Sequence, residues 1–385
     1  MSETEHFFAP CPRGLEGALA TELAALDANN VRAVHGGVEF SGPYPLCYTV
    51  NLESRIASRV LWRIGHSNYG SEQDIYKTAS TLPWPDWFSP TRSIRVNVAA
   101  IRSPLKSLNF ATLKIKDAVC DVFRATTRTR PDIDTRNPDI RIHAFLTASE
   151  LTLYLDTSGD ALFKRGYRSG TGDAPLRENL AAGILRLSGW EPEIPLLDPM
   201  CGSGTFLTEA AMLASDMAPG SNRRFGFEKL KRFDRKAWHE LRQRALARRK
   251  EKPETVIYGS DQDGRAIKLA RTNLAALGME QLVHLKRADV LEMPAPASAG
   301  IIVTNPPYGV RMDEQQLAEF YPRLGDVLKK QYSGWKAYIF TADLRLAKLI
   351  RLSASKRTPL FNGALDCRLF EYKLVAASNR DARRT

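Results

Sequence analysis

The residues best suited to take part in a chemical reaction follow a short apolar run late in the chain. The segment reads IIVTNPPYG, so that a strand-like run passes directly into Asn305, Pro306, Pro307 and Tyr308. The prolines fix φ and remove two N–H donors, which makes a stiff turn whose carbonyls can face a cleft. The Asn305 side-chain oxygen and the Pro306 carbonyl can then accept both N–H hydrogens of a planar amine, while Tyr308 stacks on the attached ring.

This arrangement suits a particular reaction. An exocyclic amine such as guanine N2 is a poor nucleophile because its lone pair is delocalised into the ring. Two acceptors would hold the nitrogen for in-line attack on an electrophilic methyl group, and such alignment can lower a barrier by several kcal/mol. We therefore predict that residues 305–308 are catalytic. An ordinary X-Pro-Pro turn closing a strand is the alternative interpretation of this segment taken alone.

A second segment, LLDPMCGSGTFLTEAA at residues 196–211, combines an apolar strand, a glycine-rich turn and the start of a helix. Gly202 and Gly204 are expected to let the backbone approach a ligand near the helix N-terminus. The third glycine of a dinucleotide fingerprint is missing and no lysine follows Gly204, which disfavours phosphate clamping. Cys201 has no accompanying histidine or cysteine signal, so we interpret it as a small packing residue beside the turn rather than a nucleophile.

Three strand-like runs end in acids, at Asp198, Asp261 and Asp289. An acid at the tip of the second strand can accept hydrogen bonds from both ribose hydroxyls of a nucleoside lying across the sheet edge. Asp289 can receive the exocyclic amine of an adenine, and Asp263 can cap the next helix. Taken together, the acids outline a nucleoside with an amino-acid-like tail, which describes S-adenosylmethionine better than a dinucleotide.

The elements that must position these side chains change character along the chain. From about residue 173 onward, apolar strands alternate with helices, which predicts a mainly parallel α/β sheet. We expect six strands there: EIPLLD, TVIYGSD, LVHLKRAD, GIIVTN, WKAYIFT and CRLFEYKLV. The first half predicts an α+β module from helices in GLEGALATELAAL, YTVNLESRIASRVLW and NFATLKIKDAVCDVFRA and strands in GVEFSG, SIRVNVAA, IRIHAFLTAS and ELTLYLDTS.

The net charge and the composition limit the classes of molecule that the protein is expected to bind. The 385 residues carry a formal charge of +12, which favours a polyanionic partner. Basic side chains concentrate at residues 102–130 and 223–252, so these are candidate RNA surfaces, with a merely solvated cationic face as the alternative. Scattered cysteines, the absence of a long apolar run and the absence of paired His or Cys spacing predict a cytoplasmic protein without membrane or metal.

These motifs, with DTSGDALFKRGYR ahead of APLRENLAA, resemble the bacterial THUMP-domain RNA methyltransferases, in particular the ribosomal RNA guanine-N2 enzymes. The resemblance implies a Rossmann-like methyltransferase domain preceded by a ferredoxin-like and THUMP RNA-binding region. It implies boundaries at 1–43 for the ferredoxin-like part, 44–155 for THUMP, 156–175 for a connector and 176–378 for the methyltransferase. The implied cofactor contacts are Asp198, Pro199, Cys201, Gly202, Gly204, Asp261, Gln262 and Asp289.

The resemblance also implies the substrate, which is a guanine of 23S ribosomal RNA or of a large-subunit assembly intermediate. Transfer-RNA guanine-N2 enzymes look similar, so the RNA target stays open. DNA adenine-N6 enzymes and release-factor glutamine enzymes share the NPPY motif but do not account for the basic first half. A non-catalytic RNA-binding or assembly protein is the alternative of another class, and the intact residues 305–308 argue against it. Some relatives carry a second, fused methyltransferase domain, which we do not expect here.

Overall fold

The computed structural model describes residues 4–168, 176–307 and 314–375, which form two compact units. The first unit comprises the described parts of residues 1–11, 20–162 and 220–244, and the second those of residues 12–19, 163–219 and 245–385. Each unit contains a seven-stranded sheet. The predicted α/β fold class, with an α+β region ahead of a Rossmann-like sheet, is confirmed. No helix in these ranges is long and apolar enough to span a membrane.

The sheet of the first unit has the strand order β2-β3-β1-β4-β7-β6-β5. All neighbouring strands pair antiparallel except β5 and β6. The strands are β1 (Glu5–Pro10), β2 (Asn29–Val34), β3 (Gly37–Gly42), β4 (Leu61–Asn68), β5 (Ile94–Ala100), β6 (Ile140–Leu146) and β7 (Glu150–Asp156). The helices between β1 and β7 in the chain are α1 (Glu16–Ala25), α2 (Leu46–Glu53), α3 (Glu72–Ser80), α4 (Trp84–Trp87) and α5 (Leu108–Thr127).

The long helix predicted over YTVNLESRIASRVLW is wrong. Helix α2 ends at Glu53, and the chain forms β4 from Leu61. The Glu22 carboxylate accepts hydrogen bonds from the Ser54 hydroxyl and from the backbone N–H groups of Arg55 and Ile56. Because these N–H groups are satisfied by a side chain distant in sequence, the chain leaves the helix there, which helical periodicity alone does not reveal.

The second sheet has the order β10-β9-β8-β11-β12-β14-β13. Its first five strands pair in parallel, and β14 and β13 close it antiparallel. The strands are β8 (Leu196–Asp198), β9 (Ile257–Asp261), β10 (Val283–Arg287), β11 (Ile301–Thr304), β12 (Lys336–Thr341), β13 (Lys356–Asn362) and β14 (Leu365–Lys373). The remaining helices are α6 (Glu178–Ser188), α7 (Thr205–Ala214), α8 (Arg235–Ala247), α9 (Gly264–Ala275), α10 (Glu314–Gln331) and α11 (Leu346–Leu349).

The prediction of six strands missed β13. Its sequence KRTPLFN is largely polar, contains Pro359 and buries only Leu360 fully, so it lacks the alternating apolar pattern that predicts a strand. A proline is tolerated there because β13 is an edge strand. The predicted strand CRLFEYKLV is confirmed as β14, which pairs antiparallel with both β12 and β13 and so lies inside the sheet.

Residues 220–244 interrupt the second sheet in sequence but pack within the first unit. An aromatic cluster holds them, in which Phe225, Phe227 and Trp238 pack together and Tyr48 lies 4.5 Å from Phe227 between ring centroids. We call residues 220–244 the strap. Within the basic segment 223–252, the α-helix spans Arg235–Ala247, and part of the charge ahead of this helix is used internally.

Three cations of the strap make internal contacts. Lys229 forms an ion pair with Asp139 at 2.8 Å, and Lys231 donates to the Pro85 carbonyl. Arg232 pairs with Glu5 and lies over the rings of Tyr44 and Trp62. These cations hold the first unit together, so they are poor candidates for contacts with RNA phosphates.

Candidate active site

A cleft of about 990 Å³ opens at the carboxyl ends of the parallel strands of the second unit. Most of the residues predicted from sequence line it together: Asp198, Pro199, Cys201, Gly202, Asp261, Gln262, Asp289, Asn305 and Pro307. Two of the predicted residues do not line the cleft. Pro306 is buried and Gly204 begins α7, and neither lines the cleft, while Tyr308 lies outside the described residues.

Asp261 ties two turns of the cleft together. One carboxylate oxygen accepts the Gly202 N–H at 2.9 Å and the other accepts the Asp263 N–H at 2.9 Å. Asp263 caps α9, as predicted, by accepting the Arg265 N–H, and this bond lowers the pKa of Asp263. Each carboxylate oxygen of Asp261 can accept a further hydrogen bond, since an ionised carboxylate offers about four lone-pair sites.

Asp198 is buried at the end of β8. Burial raises the pKa of Asp198 to about 7, and the nearby Asp261 carboxylate adds to the rise. Hydrogen bonds from the Thr304 hydroxyl at 2.8 Å and the Met200 N–H oppose the shift. The group therefore changes charge near neutral pH, and a cation brought beside it would favour its ionised form.

The two glycines of the turn serve different purposes. Gly202 has φ +53°, and a Cβ placed there would meet open space, so its backbone is accessible from the cleft. Gly204 has φ +77°, and a Cβ there would lie 2.9 Å from the Cβ of Ala270 in α9. The expected close approach to a ligand therefore fits Gly202, whereas Gly204 is required by its left-handed conformation and by the packing of α7 against α9.

Asn305 carries the most distinctive polar atom of the cleft. Its side-chain oxygen is buried and has no hydrogen-bond partner among the described residues. Buried acceptors in native proteins are nearly always satisfied, and an orphan costs about 1–3 kcal/mol. An unsatisfied acceptor in the wall of a cleft is available to accept a hydrogen bond from a ligand.

Cys201 lines the cleft, but its thiol has low reactivity. Burial raises the pKa of its thiol well above the ordinary value, and the Asp198 and Asp261 carboxylates add to that effect. The thiol is protonated at neutral pH and is a poor nucleophile. Within the described ranges, no cluster of three or more His, Cys, Asp or Glu side chains is arranged to hold a metal ion.

Sequence reasoning missed two walls of the cleft. One includes Leu176, whose carbonyl accepts from Arg168, which also donates to the Thr205 hydroxyl at 3.1 Å. The other is α10, which contributes Gln316, Glu319, Phe320 and Arg323. The apolar lining of Phe206, Ala266, Leu269, Val290 and Leu291 was not predicted either. The sequence after NPPYG contains aromatic and charged residues, but it does not show that the helix they form lies against the cleft, because that position depends on tertiary packing.

Comparison with known proteins agrees with this geometry. Residues 165–371 match the family described as RMKL-like methyltransferase domain. The chain belongs to this family. Residues 69–156 match the THUMP domain, and residues 6–61 match the RlmL ferredoxin-like domain. The family and fold expected from the sequence motifs are thereby confirmed.

Relatives of known name extend the comparison. The chain is 42% identical over 97% of its length to the ribosomal RNA large subunit methyltransferase K/L of Aeromonas hydrophila, and 40% identical over 97% to that of Shewanella amazonensis. It spans only about half of these relatives, 55% and 54%. A Synechocystis protein named as a candidate RNA methyltransferase is 37% identical, with 96% of this chain and 97% of the relative covered.

A similar solved structure indicates which cofactor the domain uses. SMU.472, described as a candidate methyltransferase complexed with S-adenosylhomocysteine, has a TM-score of 0.88 at 28% identity, covering 98% of this chain and all of that one. A methylase candidate from Clostridium difficile 630 has a TM-score of 0.89 at 29% identity, with the same coverage. S-Adenosylmethionine is the cofactor of this RMKL-like domain.

Proposed function

We propose that the chain methylates the exocyclic N2 amine of a guanine in structured RNA, with 23S ribosomal RNA or a large-subunit assembly intermediate as the substrate. The observation that carries the proposal is the buried Asn305 oxygen, which has no hydrogen-bond partner in the described part of the chain and lies in a cleft rimmed by strand-tip acids. The amide oxygen of Asn305 can only accept hydrogen bonds, so it suits a ligand with an N–H donor, such as an aromatic amine.

The cofactor would be held by the residues at the strand tips. Asp261 retains acceptor capacity for ribose hydroxyls. Asp289 lines the same cleft as the apolar Val290 and Leu291, and these three residues would contact the adenine. Asp198 and the open Gly202 backbone suit the charged amino-acid tail. Pro199, Cys201 and Gln262 complete the proposed contacts. S-Adenosylmethionine supplies an electrophilic methyl group when it is bound.

The catalytic contribution of the chain is positioning. The Asn305 oxygen would accept an N–H hydrogen of the amine and orient its nitrogen toward the methyl donor. Pro306, expected from the sequence to supply a second acceptor, does not line the cleft, so we assign its carbonyl no contact with the amine. Pro307 keeps the turn stiff and Tyr308 would stack on the base. Nucleophilic catalysis by Cys201 is disfavoured, because its thiol is buried and protonated.

Three observations support RNA as the substrate. The chain has a formal charge of +12, it contains a THUMP domain, and the named relatives include ribosomal RNA methyltransferases. The Lys and Arg residues at 102–130 lie within the THUMP match, so this region is the proposed RNA-gripping surface. A ribosomal RNA substrate would place the enzyme in the bacterial cytoplasm.

The test is to incubate the purified chain with methyl-labelled cofactor and separate pools of unmodified ribosomal RNA, transfer RNA, DNA and release factor. We expect label in ribosomal RNA. Label only in transfer RNA would move the substrate to that class, and label only in DNA or protein would overturn the RNA proposal. Cofactor binding without label in any pool would favour a non-catalytic binding protein.

A further inference from the structure

The beginning of α5 and the loop before it expose an unusual amount of apolar surface. Of the nine large hydrophobic side chains that are exposed in the described part of the chain, four lie between residues 101 and 113: Ile101, Leu108, Phe110 and Leu113. Phe110 and Leu113 are each 48% exposed and lie on one face of α5, three residues apart. The opposite face of α5 supplies the core, so this surface is not needed for packing.

Cations accompany this apolar surface. Residues 101–116 contain Arg102, Lys106, Lys114 and Lys116 and no acid. The Lys114 ammonium lies 5.4 Å from the Phe110 ring centroid. Lys116 is paired with Asp117, but Arg102 and Lys106 form no ion pair with any residue that the structure describes. An exposed aromatic ring and unpaired cations in one short segment supply the chemistry that binds a nucleobase and its phosphate.

We propose that residues 101–114, the α5 platform, bind unpaired nucleotides of the RNA substrate by stacking bases on Phe110 while Arg102 and Lys106 contact phosphates. This inference rests on RNA being the substrate. It commits to unpaired RNA because a duplex hides its base faces and offers mainly phosphates and 2′-hydroxyls. The excess of cations over acids at the platform favours RNA over an apolar protein partner.

The experiment measures dissociation constants, without cofactor, for a short unpaired RNA and for the duplex of the same sequence. Phe110→Ala should weaken binding of the unpaired RNA roughly tenfold and leave the duplex unchanged. Phe110→Trp should retain binding, whereas Phe110→Leu, which keeps apolar area but loses the ring, should behave like Phe110→Ala. Leu365→Ala removes a side chain of similar exposure elsewhere and serves as the matched control.

The cationic part is tested by salt dependence. Replacing Arg102 and Lys106 by Gln should lower the slope of log affinity against log salt by about 0.7 per residue for unpaired RNA. Unpaired-RNA binding by Phe110→Leu equal to wild type, or equal loss of duplex binding in Phe110→Ala, would overturn the platform. Lost self-association of Phe110→Ala with unchanged RNA binding would assign the surface to a second copy instead. Because binding is measured without methyl transfer, these outcomes are separate from failure of the proposed reaction.

A different observation concerns the NPP turn itself. The Tyr321 hydroxyl of α10 donates a hydrogen bond to the Pro307 carbonyl at 2.9 Å, and the Tyr321 side chain is fully buried. This bond occupies the Pro307 carbonyl and joins the turn to α10. We infer that Tyr321 is a positioning residue that fixes the turn from its buried side, so that the Asn305 oxygen is aimed into the cleft. This inference also rests on the proposed function.

The chain offers a matched control in Tyr332. It is fully buried in the same hydrophobic core, and its hydroxyl donates to the Met293 carbonyl at 3.1 Å, in the segment between β10 and β11. Each Tyr→Phe change removes one buried hydroxyl that donates to a carbonyl, so the two variants should lose similar stability. Only Tyr321→Phe should lower kcat, by about tenfold to a hundredfold, since small misplacements of reacting groups cost that much.

The readouts are kcat and KM for unmodified ribosomal RNA, the cofactor dissociation constant, and the melting temperature. The positioning role predicts lower kcat with unchanged cofactor affinity for Tyr321→Phe and wild-type kcat for Tyr332→Phe. Equal kcat in both variants would show that Tyr321 acts only through stability. An inactive wild type would instead contradict the proposed function, which keeps the two failures distinguishable.

Discussion

Asn305 is the residue on which the proposed chemistry depends. Its side-chain oxygen has no hydrogen-bond partner among the described residues, and under the proposed function it accepts from the substrate amine. Its removal should therefore affect turnover rather than cofactor affinity. We expect Asn305→Ala to lower kcat by about 100- to 1000-fold, the usual cost of removing one preorganised hydrogen-bonding group. Binding calorimetry should show cofactor affinity within about twofold of wild type. Asn362→Ala on the edge strand is the control, and unchanged turnover in Asn305→Ala would remove Asn305 from its role.

Asp198 should make the stability of the cofactor-free protein depend on pH. Its pKa is raised to about 7 in the folded state, so the folded state retains a proton that the unfolded state loses near pH 4. The contribution of this group therefore falls as pH rises from about 4 to 7, by at most ~1.4 kcal/mol per pH unit. Asp198→Asn should lack this fall. Denaturant unfolding across the window measures it, and parallel curves for both proteins would contradict the assignment.

Gly202 and Gly204 should respond differently to alanine. Both have positive φ, but only at Gly204 would the added Cβ also meet Ala270. Gly204→Ala should therefore lose more stability than Gly202→Ala, by about 1–3 kcal/mol for overpacking. Gly202→Ala should lose cofactor affinity at a smaller cost in melting temperature. The reverse order of melting temperatures would show that the packing of α7 against α9 does not explain Gly204.

At the scale of elements, the strap depends on its aromatic cluster. Trp238 contacts Tyr48, Phe225 and Phe227, and it is buried although α8 is rich in arginine. Trp238→Ala should destabilise the first unit by about 3–5 kcal/mol, as truncation of a buried aromatic does. Leu246→Ala changes an exposed side chain of the same helix and should stay within about 0.5 kcal/mol. Equal effects in chemical denaturation would show that the cluster does not hold the strap.

Parallel strands made much of the cleft predictable from sequence. Asp198, Asp261, Asp289 and Asn305 each follow an apolar strand, and the carboxyl ends of neighbouring parallel strands meet at one sheet edge. The α10 wall, the strap and β13 were missed because each depends on long-range packing. Phe320 and Tyr321 look like ordinary core residues in sequence, and Lys229 or Arg232 look like an RNA surface until their acidic and aromatic partners are known.

At the scale of the molecule, each unit has its own sheet, and the chain passes between them more than once. Family matches at 6–61, 69–156 and 165–371 follow the order predicted from the sequence. The boundaries at residues 43, 155 and 175 stay predictions. They include residues 220–244 in the methyltransferase domain, whereas these residues pack within the first unit. No local sequence feature reveals this, since a solvated basic helix has the same residue pattern.

Under the proposed function, the amine that Asn305 holds is the N2 amine of a guanine. The most direct measurement is nucleoside mass spectrometry of an unmodified 23S ribosomal RNA transcript after incubation with the enzyme and labelled S-adenosylmethionine. We predict N2-methylguanosine in the wild-type reaction and its near absence with Asn305→Ala. A labelled nucleoside other than N2-methylguanosine, or label of equal amount with Asn305→Ala, would contradict this account.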